Sequence, residues 1–196
     1  MAKIYIIAGT PGIGKSTSGR YFIPPNVEIL NHDSLLLYYK YKKAVDYEDL
    51  ANLKANDFIV KQLKSDIDFG IELNLGFENH YDLLLFIKEK YAHFKIEVIL
   101  FHTDNVEICV DRVLLREKSG GHVVSRDIVF KMYENTLPLI KKYAYLIQGI
   151  QLVDVDFESL ETVYSNYIQI VSTLVERPNW VNSLAPETLN FEKSKN

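Results

Sequence analysis

A short apolar run that ends in glycine constrains this chain more than any other feature. Lys3-Ile-Tyr-Ile-Ile-Ala8 is brief and β-branched, as a strand buried on both faces of a parallel sheet must be, and Gly9-Thr-Pro-Gly-Ile-Gly-Lys-Ser16 follows at once. Lys15 to Phe22 then reads as a helix, stopped by Pro24 and Pro25. Strand, glycine loop and helix in this order turn backbone N–H groups towards an anion without Cβ clashes. The helix N-terminus adds roughly half a positive charge on the same side. Gly, four residues, then Gly-Lys-Ser is the spacing of a phosphate-binding loop.

That loop predicts ATP and Mg2+ as cofactors. Gly9, Thr10, Pro11, Gly12, Ile13 and Gly14 wrap the phosphates, Lys15 holds the β and γ groups, Ser16 places its hydroxyl on magnesium, and Thr17 reaches the α-phosphate. A plain glycine turn between strand and helix is the competing reading.

The remaining pattern alternates. Val27–Leu30 reads as a second strand, beside the first, with Asn31-His32-Asp33 at its carboxyl end. Asp46 to Phe69 reads as one or two amphipathic helices ended by Gly70, and Ile71–Leu75 as a third strand. His80–Tyr91 reads as a helix, Ile96–Phe101 as a fourth strand and Asn105–Glu117 as a helix. Ser125 caps another helix to about Asn135, Gln151–Val155 is a fifth strand, and Ser159–Val175 is a last helix. The implied class is α/β, a three-layer α/β/α P-loop NTPase fold with a parallel sheet of about five strands and a helical lid. Its ligands gather at the carboxyl ends of the strands. Residues 1–177 form the domain. Residues 178–196 are a tail, either partly disordered or packed through Trp180.

A formal net charge of −4 and a pI near 5.8 give no general electrostatic reason to seek nucleic acid. One cysteine, Cys109, excludes an internal disulfide and reads as a small buried residue. No apolar run approaches the roughly 20 residues of a membrane span, so the chain reads as soluble and cytoplasmic.

Transfer of a phosphoryl group to a hydroxyl calls for a carboxylate at a strand end to orient the acceptor and take its proton. Asp33 is the candidate, with capping of a helix from Ser34 as the alternative. Glu72 interrupts an apolar strand, where a carboxylate is costly unless paired or near a metal. Arg112 and Arg116, one helical turn apart before Gly120-Gly121-His122, either neutralise developing charge from a lid or belong to a solvated helix face. Gly120-Gly121-His122 is a lid hinge or a turn. Tyr38, Tyr39 and Tyr41 line an acceptor pocket or fill core and surface. His32, His80 and His102 lack metal-ligand spacing, and Asp104 is a poor second magnesium motif.

The order of motifs to about Leu139 resembles the zeta-toxin family of P-loop kinases. The resemblance rests on the phosphate loop, on Pro24-Pro25 leading into Ile29-Leu-Asn-His-Asp33, on Ile71-Glu-Leu-Asn-Leu75, and on Arg112-Val-Leu-Leu-Arg116 followed by Gly120-Gly-His-Val-Val124. It implies an α/β kinase core that phosphorylates a sugar hydroxyl, on UDP-N-acetylglucosamine in the toxin members, with an antitoxin protein as a candidate partner. By this likeness Asp33 matches the catalytic base, Glu72 the acceptor-site glutamate, and Arg116 or Arg112 the lid arginine; Asn74 and His32 join Glu72 as acceptor contacts. The sequence departs near the acceptor and the lid. Leu73 and Asn74 stand where two threonines are usual, Val124-Ser125 replaces Val-Pro, and Met132 stands where an arginine precedes the tyrosine, with Lys131 and Arg126 as substitutes. These departures predict a different acceptor and a reduced rate. A polynucleotide 5′-hydroxyl kinase and a non-catalytic ATP-binding regulator are the other readings.

Overall fold

The run Lys3–Ala8 forms β1, with Ile4, Ile6, Ile7 and Ala8 wholly buried between the two faces of a sheet. A computed structural model of the protein describes residues 1–121, 124–156, 160–165 and 178–184. β1 leads through the glycine loop into α1 (Lys15–Ser18), which tightens into a 3-10 turn over Gly19–Phe22 before β2 (Glu28–Leu30). α2 (His32–Tyr41) and α3 (Tyr47–Ser65) pack on each other, and β3 (Phe69–Leu73) returns to the sheet. α4 (Asp82–Lys90), β4 (Lys95–His102), α5 (Glu107–Lys118), α6 (Arg126–Lys142) and β5 (Gly149–Val155) follow. β6 (Leu160–Ser165) and α7 (Asn179–Ser183) complete the described elements.

Among the described residues the strand order is β2-β3-β1-β4-β5-β6, parallel from β2 to β5, with β6 antiparallel on the edge. This is the expected α/β sheet of five parallel strands, and two apolar clusters cover its faces. One gathers Ile4, Ile6, Val98 and Leu100 under α3, α4 and α6; the other gathers Ile7, Ile99, Phe101 and Val153 under α5.

Four expectations are corrected. β2 is not beside β1: β3 lies between them, so Glu72, paired with Ile7, comes nearer the phosphate loop than Asp33's strand does. β3 begins at Phe69, and Gly70 lies inside it. α3 instead ends at Asp66 in the left-handed conformation, φ 51°. α6 does not stop near Asn135 but runs through Pro138, because wholly buried Ile140 anchors its last turn. Leu160–Ser165 is strand where a helix was expected. Its Thr-Val-Tyr content suits a strand, and pairing with β5 covers an edge that would otherwise bare its N–H and C=O groups. The remainder of that expected helix, and of the tail beyond Leu184, lies outside the described residues. Within residues 178–184, Trp180, Val181 and Leu184 are buried in the core. No helix among the described residues is long and apolar enough to cross a membrane.

Candidate active site

The carboxyl ends of β1, β2 and β3 open into a cleft of about 940 Å³. Its floor is the loop Pro11 to Ser18, and Asn31, His32, Asp33, Glu72, Asn74, Arg112 and Arg116 all line it. The backbone of the loop is built for close approach. Gly12 sits at φ 84°, and a Cβ there would lie 2.3 Å from the carbonyl oxygen of Cys109 on α5, so only glycine fits.

Lys15 turns back over its own loop. Its Nζ donates to the carbonyls of Gly9 at 2.7 Å and Thr10 at 3.1 Å, and to Asn74 Oδ1 at 2.8 Å. Burial lowers its pKa to about 8, opposed by the nearby carboxylates of Glu72 and Asp33. At neutral pH Lys15 is still mainly an ammonium, and a polyphosphate beside it would favour that charged form further. Ser16 Oγ donates to Glu72 Oε2 at 2.7 Å and accepts from Asn31 Nδ2 at 3.0 Å. Glu72 therefore meets the hydroxyl expected to carry magnesium. A hydroxyl beside a carboxylate is an oxygen donor set that suits this ion. Among the described residues no three acidic, histidine or cysteine side chains converge as a metal cage.

Asp33 lies in the first turn of α2, but it does not cap that helix. The cap is Asn31, whose Oδ1 accepts from the Ser34 N–H at 2.9 Å. Asp33 is thus left facing the cleft, where Arg116 Nη1 stands 3.8 Å from its Oδ2. His32 pins α2 to α3 through Asn52 at 2.8 Å.

The two arginines divide. Arg112 reaches the carbonyls of Ile13 and Asp156, each at 3.4 Å, and so ties the loop to the end of β5. Arg116 turns the other way, to Asp33. Gly120, at φ 81°, ends α5, and Gly121 donates back to the Arg116 carbonyl at 3.0 Å. His122 lies outside the described residues. Arg126 pairs with Glu107 at 2.6 Å, and Lys131 sits over the Phe77 ring; neither lines the cleft.

Phe77, Val124, Ile128 and Met132 form an apolar wall that the sequence reading missed. Part of its signal was available: Ile128 and Met132 are four residues apart, one turn along α6, and Val124 lies just before the Ser125 cap. Tyr38, Tyr39 and Tyr41 do not line the cleft, and Tyr38 and Tyr41 are exposed. Asp104 is taken by α7, accepting from the N–H groups of Asn179 at 3.0 Å and Trp180 at 3.3 Å. Cys109 is wholly buried, and burial raises its thiol to about 11, which leaves it inert as a nucleophile.

No protein-family profile matches the sequence, and no curated protein matches it. Solved structures do match its fold. A chain of the PezAT chromosomal toxin–antitoxin system of Streptococcus pneumoniae superposes with a TM-score of 0.62 at 18% identity, over 88% of this chain and 74% of that one. A chain of the AvrRxo1-ORF1:-ORF2 complex with ATP gives 0.61 at 14%, over 84% and 58%. A chain of the Pnkp1/Rnl/Hen1 RNA repair complex gives 0.56 at 20%, over 91% and 53%. The protein spans little more than half the length of the last two. These likenesses are of fold alone, and they bear out the α/β fold with a sheet of five parallel strands expected from the motifs.

Proposed function

We propose that this protein is an ATP-dependent phosphotransferase that moves the γ-phosphoryl group to a hydroxyl of a small-molecule acceptor. The observation that carries the reading is the meeting of a complete phosphate loop with Asp33 and Arg116 in one cleft. The loop amides and Lys15 hold the polyphosphate. Magnesium, held through Ser16 with Glu72 beside it, supplies charge neutralisation when bound. Asp33 orients the acceptor hydroxyl and takes its proton as the acceptor oxygen bonds to the γ-phosphorus. The bond from that phosphorus to the β,γ-bridging oxygen breaks, and ADP leaves. Arg116 offsets the charge on the transferring oxygens.

The resemblance makes UDP-N-acetylglucosamine the first acceptor to offer, with Glu72 and His32 as its contacts. The likeness to a toxin–antitoxin chain makes an antitoxin the corresponding partner. The test is transfer of labelled γ-phosphate from ATP, with magnesium, to the UDP-sugar and to a 5′-hydroxyl oligonucleotide in parallel, with Lys15→Ala as the blank. Lys15-dependent label on the UDP-sugar is expected. Label on the oligonucleotide alone would move the acceptor class, and label on neither from a broad metabolite pool would sink the catalytic reading.

A further inference from the structure

An ammonium has three N–H donors, and Lys15 has three acceptors: two carbonyls of its own loop and the side chain of Asn74, 59 residues away. Lysine only donates, so the atom facing it at 2.8 Å must be the amide oxygen of Asn74, with the NH₂ group turned elsewhere. A phosphate that takes a donor from Lys15 without dismantling the loop's own anchors must take the one now given to Asn74. The phosphate oxygen then lands where Oδ1 stands, against an asparagine amide whose other end is a donor.

The segment that presents Asn74 is firmly held. Leu75 is wholly buried in the left-handed region at φ 56°, and its carbonyl accepts from Tyr81 Oη at 3.3 Å. Gly76 lies so close to α6 that a Cβ would fall 2.7 Å from that of Met132. A side chain on such a mount stays at the site when its partner leaves, and rotation about one torsion exchanges its carbonyl for its NH₂.

We propose that Asn74 is a γ-phosphoryl-binding residue: it holds Lys15 through its carbonyl when the site is empty and donates through its NH₂ to the γ-phosphoryl oxygens when ATP is bound. The proposal rests on the phosphotransferase reading and reassigns Asn74 from the acceptor to the nucleotide. It also places a neutral donor for the transferring group on the segment packed against Met132.

Calorimetric titration with ATP and with ADP, both with magnesium, tests it without any acceptor. Asn74→Ala loses the donor, and the ratio of ATP to ADP affinity falls roughly tenfold. Asn74→Asp keeps an acceptor for Lys15 but sets a carboxylate against the γ-phosphoryl group, and the ratio falls further. With an accepted hydroxyl compound, kcat of Asn74→Ala falls about 10²-fold at saturating ATP. Unchanged ratios in both variants, with cooperative thermal unfolding retained, overturn the proposal and leave the phosphotransferase reading intact. Shifted ratios without transfer to any acceptor support Asn74's role while removing the catalytic reading. Failure of the wild-type protein to bind either nucleotide overturns both.

Discussion

At the phosphate-loop end of the cleft, geometry is carried by backbone and buried side chains. Gly12 lies against the α5 carbonyl of Cys109, Ile13 is buried, and Lys15 is anchored on two carbonyls. On another side of the same cleft, Asp33 and Arg116 face each other at 3.8 Å, their side chains 49% and 39% exposed. A pair of that kind contributes roughly 0–1 kcal/mol to stability. The first end is fixed by close packing and backbone contacts. The second is held loosely, as the proposed exchange of that pair for a substrate requires.

That contrast predicts that the loose end can be altered without harming the rigid one. Arg116→Ala is expected to lower kcat about 10³-fold, and Asp33→Asn by roughly 10²- to 10⁴-fold. ATP affinity measured by calorimetry should change less than about threefold in either variant, and unfolding stability by under about 1 kcal/mol. Parallel loss of ATP affinity and turnover would break the comparison, because it would make the two ends one structural unit.

The core next to the rigid end, where β4 packs against Gly9, should instead answer to acid. His102, at the end of β4, is buried between the Tyr133 ring, stacked at 4.7 Å, and Trp180, edge-on at 5.0 Å; burial lowers its pKa to about 4. A histidine whose folded value lies below its unfolded value of about 6.5 leaves the folded state with fewer bound protons. Its contribution is whole above pH 6.5 and is lost as pH falls towards 4, at about 1.4 kcal/mol per pH unit. Urea unfolding at pH 5 should therefore give about 2 kcal/mol less stability than at pH 7 from this residue. His102→Phe should flatten that slope. An equal slope in the variant would mean that other groups carry the acid response.

The rigid end was also the legible one. A glycine loop between a strand and a helix is local, so its residues, their order and their roles are adjacent in sequence, and the parallel α/β class follows from the alternation around it. The contacts that assign the other residues are not local. Glu72 meets Ser16 because β3 inserts between β1 and β2, a strand order that periodicity does not encode. Asn74 meets Lys15 across 59 residues, and Asp104 is claimed by a helix 75 residues on. Asp33 was ambiguous in sequence because asparagine and aspartate two positions apart can both cap. The hydrogen bond from Ser34 to Asn31 decides it.

Arg112 gives the smallest and sharpest test, since sequence reading grouped it with Arg116 as one lid pair. Its contacts are two long hydrogen bonds, one to the carbonyl of Ile13 in the phosphate loop and one to that of Asp156 just past β5. If it belongs to the nucleotide end, Arg112→Ala loosens the loop's link to β5 and weakens ATP about tenfold, some 1.4 kcal/mol, with kcat at saturating ATP within about threefold of wild type. A fall in kcat at unchanged KM for ATP would instead put Arg112 with Arg116 on the transferring phosphoryl group. The boundary between the two ends would then run between the phosphate loop and α5 and not through α5 itself.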